Sequence, residues 1–242
     1  MTTHDTTDYK ALISFVMHDL REINAMIRDS ARLLSLSTRG DRIDEQAIRH
    51  HASLVVEQAA LLSSWLAICD MHIDPDKFTK EPKRRISLHE LFYKAQATFK
   101  RIAKSQHVTI ELNGFGKFYV DAHPIMDIFP YVLLDNAIKY SPSYGRVTVT
   151  LDELLETVHI RISSMGPKVE ESERSSLCIV GFRGDNAKRK IEKGYGQGLG
   201  LLKSICDFHN GKLEFIFGDS VTELGGIPYA EFGLHIALQS AN

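Results

Sequence analysis

The chain has 242 residues, 43% hydrophobic and 25% charged, a composition that suits a globular protein and excludes a disordered, collagen-like or disulfide-stapled one. Its 29 Lys and Arg against 31 Asp and Glu leave a net charge of -2, so no global attraction to nucleic acid or acidic lipid follows. Cys69, Cys178 and Cys206 never fall in a C-x-x-C pair, no apolar run reaches the ~18 residues of a membrane span, and MTTHDTTDYK lacks the regions of a signal peptide. A disulfide framework, a zinc site and a membrane span are therefore unsupported, and the expectation is a cytosolic protein.

Over about 9–36, apolar residues at Ile13, Val16, Leu20, Ile23, Ile27 and Leu34 follow a 3-4 spacing, interrupted at Ser30, that belongs to a bundle-forming helix. After the turn signal Ser37-Thr38-Arg39-Gly40-Asp41, a second helix over about 44–69 carries Leu54, Val55, Leu61, Leu62, Trp65 and Ile68 on its apolar side. The pair reads as an antiparallel hairpin over 1–74. Two helices cannot cover both stripes, whereas two hairpins pairing into a four-helix bundle can, so a homodimer is expected.

Residues 75–86, with Pro75, Pro82 and the basic run Lys83-Arg84-Arg85, read as a linker. The rest, 87–242, alternates. Helices are predicted over 87–104, 124–140 and from near Gly200 to Asp207, and strands over 107–112, 118–120, 146–151, 157–163, 212–217 and 229–238. The fold class is α+β: a helical hairpin followed by an α/β sandwich with the sheet on one side and helices on the other.

Two motifs in this second part carry chemistry. In Gly194-Tyr195-Gly196-Gln197-Gly198-Leu199-Gly200-Leu201, glycines stand at every second position and a helix follows at once. Such a loop lets backbone N–H groups approach an anion, and the helix N-terminus favours negative charge; the alternative is an ordinary flexible loop. It is neither a Walker A loop nor a Rossmann turn. The other motif is Leu134-Asp135-Asn136-Ala137-Ile138-Lys139-Tyr140-Ser141-Pro142. An amide at Asn136 on an otherwise apolar helix needs a partner, which a core hydrogen bond or a Mg²⁺ ion beside phosphates would supply.

The two motifs, about sixty residues apart, resemble the N and G2 boxes of the Bergerat-fold ATPases, and among them the sensor histidine kinases of two-component systems. Val180-Gly181-Phe182-Arg183-Gly184-Asp185-Asn186-Ala187 resembles the F box, and His209-Asn210-Gly211-Lys212 the turn after the G2 helix. Phe15-Val16-Met17-His18-Asp19-Leu20-Arg21-Glu22 is similar to the H box that carries the phosphoacceptor histidine. With Ile13, Val16, Leu20 and Ile23 as the seam, His18 lies near the opposite, reachable face.

The resemblance implies a cytoplasmic, homodimeric histidine kinase that transfers the ATP γ-phosphoryl group to His18 and on to an aspartate of a response-regulator receiver domain. Asp19 would support the imidazole, Asn136 would hold Mg²⁺, and Lys139 would meet phosphate oxygens. Tyr140 would lie by the nucleotide, and Gly196, Gly198, Leu199 and Gly200 would wrap the phosphates. Ser164 and Gly166 would stand in the G1 box at the base, Arg183 in the F box, and 185–193 would form a mobile lid. No sensor segment is evident, so input would come in trans, from a separate sensor protein, or through the hairpin.

Three positions depart from the family's pattern. Val132 stands where Asn or Glu is usual, Ser164 where an aspartate accepts the adenine amino group, and Glu22 where Thr or Asn serves phosphatase activity. These departures bring in a second reading, a degenerate kinase acting as a histidine phosphotransferase or scaffold with weak or no ATP use. A third is a Bergerat ATPase of the chaperone or mismatch-repair kind, in which His18 is incidental.

Overall fold

In the computed structural model, which describes residues 20–21, 24–37, 44–52, 54–55, 58–59, 62, 66, 82–114, 116–192 and 196–241, the chain divides into two units, Met1–Lys80 and Glu81–Asn242. In the first unit, 24–37 and 45–52 are helical, with further helical residues at 54–55, 58–59, 62 and 66. The second helix starts where its cap does: the Ala47 N–H donates to Asp44 Oδ1 at 2.9 Å, which satisfies one of the first-turn donors that a helix leaves unpaired. Ser30 is buried between half-buried Ile27 and Leu34. It therefore occupies the apolar stripe, at 3-4 spacing, instead of interrupting it. His18 and Asp19, Val16, Trp65, Ile68 and the turn over 38–41 lie outside the described residues.

The second unit begins earlier than expected. Residues 84–86, read as linker, form β1 (Arg84–Ser87), which pairs antiparallel with β3 (Tyr119–Ala122). Ser87 then turns the chain into α1 (Leu88–Ser105): its Oγ accepts from Glu90 N–H at 3.3 Å and donates to the Lys117 carbonyl at 2.7 Å. Strand β2 (Thr109–Asn113) follows, and after β3 a 3-10 turn, Pro124–Ile128, leads into α2 (Phe129–Tyr140). Next come β4 (Arg146–Leu154), β5 (Thr157–Pro167), a second 3-10 turn (Glu171–Ser176), α3 (Asp185–Lys190) and α4 (Gly198–Phe208). Strands β6 (Lys212–Phe217), β7 (Thr222–Leu224) and β8 (Ile227–Gln239) end the unit.

The main sheet runs β2-β4-β5-β8-β6, with β7 on β8. Only β2 and β4 are parallel; β4, β5, β8 and β6 pair antiparallel. The register puts Val149 opposite Ile162 and Ile162 opposite Leu234, so one face carries a continuous apolar row. Val147, Val149, Leu151, Val158, Ile160, Ile162, Leu234, Ile236 and Leu238 are all buried there. Phe92 and Phe99 of α1, Leu133, Leu134 and Ile138 of α2, and Leu201, Leu202, Ile205 and Cys206 of α4 complete the core. Fully burying each such side chain contributes about 1.5–3 kcal/mol, and this face fixes how α2 and α4 lie side by side.

Candidate nucleotide site

α2 is divided lengthwise. Leu133, Leu134 and Ile138 enter the core, which leaves Val132, Asp135, Asn136, Lys139 and Tyr140 on the faces that stay half-buried or exposed. The helix ends where Ser141 turns its hydroxyl back to the Ala137 carbonyl, at 2.7 Å, before Pro142. Asn136 is half-buried, and its Nδ2 is fully covered with no hydrogen-bond partner among the described residues. Asp135 reaches the surface. The surrounding protein pushes its carboxyl above the usual range, and the neighbouring Lys139 pulls it down less strongly.

α4 brings the glycine motif to this point. Gly194 and Tyr195 lie outside the described residues, but each of the three glycines that follow makes a close approach. Gly196 has φ +65°, and a Cβ there would come within 2.3 Å of the Phe182 carbonyl oxygen. A Cβ on Gly198 would meet Asn136 Nδ2 at 2.4 Å, and one on Gly200 the Cys178 carbonyl oxygen at 2.9 Å. The glycines thus hold backbone against backbone and against the Asn136 amide, a packing need that alternation in the sequence does not reveal. Leu201 N–H makes the first intrahelical bond, to the Gln197 carbonyl at 3.0 Å, and the Gln197 side chain does not cap the helix. The N–H groups of Gly198, Leu199 and Gly200 are therefore left as donors at a positive helix end.

Ser164 and Gly166 sit near the end of β5. Ser164 is 9% exposed, opposite Val147 on one side and Phe232 on the other. The nearest atom to a Cβ on Gly166 would be Phe232 Cβ at 3.7 Å, an ordinary contact, so packing alone does not demand glycine there. The Lys168 ammonium pairs with Glu170 at 2.9 Å.

Arg183 is bonded to backbone carbonyls. Its guanidinium donates to the carbonyls of Ala187 at 3.2 Å and Glu192 at 3.3 Å, and to that of Ile191, which closes the C-terminal end of α3. The stretch expected as a mobile lid is helical over Asp185–Lys190 and tied at several points; Lys193 lies outside the described residues. Asp185 N–H donates to Glu173 Oε1 at 2.7 Å, Asn186 Nδ2 donates to the Lys168 carbonyl at 2.9 Å, and Arg189 bridges Asn186 and the Gly226 carbonyl. Buried Asn186 is a residue the sequence reading passed over. A short polar helix has no apolar periodicity to show it.

At the far end of α4, His209 is locked as a neutral ring. Its Nδ1–H donates to the Ile205 carbonyl at 2.8 Å, and its Nε2 accepts the His123 N–H at 3.1 Å. Desolvation lowers its pKa, against a smaller raising effect of the bond to Ile205.

A Bergerat-type α/β sandwich with an asparagine against a glycine-rich helix start defines a class, the nucleotide-binding domain of histidine kinases and related ATPases. Residues 131–234 match the family described as "Histidine kinase-, DNA gyrase B-, and HSP90-like ATPase". The chain is 42% identical over 95 residues to the adaptive-response sensory kinase SasA of Rippkaea orientalis (strain PCC 8801 / RF-1), covering 38% of this chain and 23% of that one. It is 27% identical over 207 residues to the signal transduction histidine-protein kinase/phosphatase MprB of Mycobacterium leprae (strain TN), covering 84% of this chain and 38% of that one. The chain thus spans a minor part of the length of these curated relatives. Among solved structures, the mycobacterial sensor histidine kinase MprB superposes with a TM-score of 0.53 at 22% identity, over 65% of this chain and 98% of that one. The Acinetobacter baumannii histidine kinase AdeS does so with a TM-score of 0.52 at 15% identity, over 93% of this chain and 98% of that one. At these identities the structures establish the fold alone. The family match thus covers part of this chain, and the relatives that share it are named as sensory and signal-transduction kinases. Among the described residues, no helix is long and apolar enough to cross a membrane.

Proposed function

We propose that the chain is an ATP-dependent protein-histidine kinase that phosphorylates its own His18 and passes the phosphoryl group to a receiver-domain aspartate. The observation that carries this reading is the approach of Gly198 to Asn136, which joins the two motifs in one place beside unpaired helix N–H groups. That combination suits a polyphosphate. The buried, unpartnered Asn136 Nδ2 fits a phosphate oxygen as its acceptor, which would leave Oδ1 as the Mg²⁺ ligand. Bound there, Mg²⁺ would neutralise phosphate charge as transfer proceeds.

In this reading Lys139 pairs with phosphate oxygens, and Tyr140 lies along the nucleotide. The N–H groups of Gly198, Leu199 and Gly200 receive the phosphate chain, and Gly196 lets the loop turn into that helix. Ser164 and Gly166 line the base end. Arg183, bonded to the Ala187 and Glu192 carbonyls, contributes to the nucleotide site from the F box while holding the end of α3. An imidazole nitrogen of His18 attacks the γ-phosphorus, the bond to the bridging oxygen breaks, and ADP leaves with the electron pair. Asp19 accepts a hydrogen bond from the other ring nitrogen, which favours the developing imidazolium. A carboxylate oxygen of the receiver then displaces the histidine.

We also propose that the helical unit pairs with a second copy of itself. Met26, Leu33, Leu36 and Leu66 are each about half exposed on the single chain, and a four-helix bundle would cover such residues. The kinase would work in the cytoplasm, where ATP and receiver domains meet, with input arriving from a separate sensor protein or through the helices.

Incubation with radiolabelled ATP and Mg²⁺ tests the reading. Wild-type protein should take up acid-labile, alkali-stable label, and His18→Ala and Asn136→Ala should not. ATP turnover with no labelled protein would overturn it.

A further inference from the structure

Strands β1 and β3 form a sheet separate from the six-stranded one, and β1 begins just after the division between the two units. The chain coming from the helical unit is thus received by two short strands. Burial of Ile86, Phe118, Val120 and Ala122 presses this pair onto the core, but apolar burial is non-directional and does not single out one position. Directional bonds do. At the start of β3, the Tyr119 carbonyl accepts from the Ala241 N–H at 2.8 Å, and the Ala241 carbonyl accepts from the Arg85 guanidinium at 3.1 Å.

Just past the end of β3, the bond comes from α4. His209 is the C-cap of that helix. Its Nδ1–H bond to the Ile205 carbonyl, one turn back, fixes the tautomer and the ring, and so presents the Nε2 lone pair to the His123 N–H at 3.1 Å. Both residues are buried, at 9% and 6% exposure, so this N–H does not readily exchange the ring for water. The helix itself is a rod of eleven residues, about 16 Å long, seated by Leu201, Leu202, Ile205 and Cys206. Its first turn stands against Asn136 and its last residue at the end of β3, so one rigid element joins the candidate nucleotide site to the strands that receive the chain.

We infer that His209 is a positioning residue for phosphoryl transfer: by holding the His123 N–H it fixes α4, and a nucleotide at its first turn, relative to the strand through which the unit bearing His18 is attached. This rests on the kinase reading above. Transfer needs the γ-phosphorus and the imidazole in line, and a small misplacement of reacting groups costs much rate. His209 stands at the opposite end of α4 from the nucleotide, so its loss spares binding and slows transfer.

The test uses the full chain with His209→Ala, which removes the acceptor, and His209→Gln, whose amide oxygen can replace it. Label uptake from radiolabelled ATP gives kcat and KM, calorimetry gives MgATP affinity, and amide hydrogen exchange reads 84–87 and 119–123. In His209→Ala, exchange in these strands should accelerate and kcat should fall about tenfold or more, with KM and MgATP affinity as in wild type; His209→Gln should recover most of both losses. Wild-type exchange in His209→Ala overturns the fastening whatever the kinase does, and accelerated exchange with wild-type kcat overturns the positioning role. Loss of MgATP affinity along with kcat, or a His209→Gln no better than His209→Ala, would mark His209 as a packing residue and overturn the inference too. A wild-type chain that takes up no label brings down the kinase reading and the positioning role with it, an outcome distinct from wild-type labelling that the variants leave unchanged.

Discussion

Gly198 and Asn136, 62 positions apart in the chain, stand so close that a single added carbon on Gly198 would come within 2.4 Å of Asn136 Nδ2. In an ordinary helix Gly→Ala stabilises by about 1 kcal/mol. Here the methyl must push the asparagine aside, and the helix gain is set against that displacement. Gly198→Ala should leave thermal stability within a few degrees of wild type but weaken MgATP binding about tenfold, because the displaced amide is the one argued to hold the metal. In the Asn136→Ala background the same substitution should raise the melting temperature, since the obstacle is gone. Two substitutions whose effects on melting simply add would show that the contact has no energetic weight.

Arg183 offers a contrast between sequence and structure. The resemblance placed it among nucleotide contacts, yet its guanidinium serves the carbonyls of Ala187, Ile191 and Glu192. Arg183→Ala should therefore free the end of α3. Amide hydrogen exchange over 186–192 is expected to accelerate at least tenfold, with global melting little changed because the segment adds little to the core. Unchanged exchange with a lost nucleotide affinity would return Arg183 to a direct contact. Arg183→Lys should rescue poorly, since an ammonium cannot reproduce a planar fork that reaches several carbonyls.

His209 gives the fold a dependence on pH whose sign follows from its burial. Burial lowers its folded pKa below the ordinary histidine value, so the unfolded chain takes up a proton more readily than the folded one. Stability contributed by the neutral ring is therefore present above the unfolded pKa and is lost as pH falls through it toward the folded one. Protonation also removes the Nε2 acceptor that serves the His123 N–H. Urea denaturation at pH 7.5 and 5.5 should show lower stability at the acid value in wild type and a smaller difference in His209→Gln. An equal pH dependence in the two proteins would assign it to other groups.

Most of the sandwich could be read from the sequence because its elements carry strong periodicity. The alternation in 146–151 and 157–163 matches β4 and β5, β6 runs over Lys212–Phe217 as expected, and the helix predicted from 87 begins there, with Ser87 as the N-cap of α1. What escaped depended on partners. Strand β1 exists because Arg84, Arg85 and Ile86 pair with Ala122, Asp121 and Val120, and nothing in a basic run beside a proline announces that. β5 extends to Pro167 because Ser164, Met165 and Gly166 find Phe232, Glu231 and Ala230 across the sheet. The candidate site was legible as two motifs, Asn136 and the glycine series, since both break the local pattern. The burial of Gln197 was not, because a glutamine between glycines looks polar and exposed.

Ser164 sets up a trade between stability and affinity. It is 9% exposed in the middle of three paired strands, a place where an unpaired carboxylate would cost several kcal/mol unless it met a donor. If the base of the nucleotide lies there, its exocyclic amino group is such a donor, and a carboxylate accepts a stronger hydrogen bond than a hydroxyl by about 1–1.5 kcal/mol. Ser164→Asp should then lower the melting temperature of the nucleotide-free protein, raise the affinity for MgATP about tenfold, and widen the preference for MgATP over MgGTP, whose base presents a carbonyl oxygen at the corresponding position. Melting curves with and without each nucleotide read all three effects at once. A variant that is destabilised and gains nothing toward MgATP would move the base away from Ser164 and leave that hydroxyl as a feature of strand packing alone.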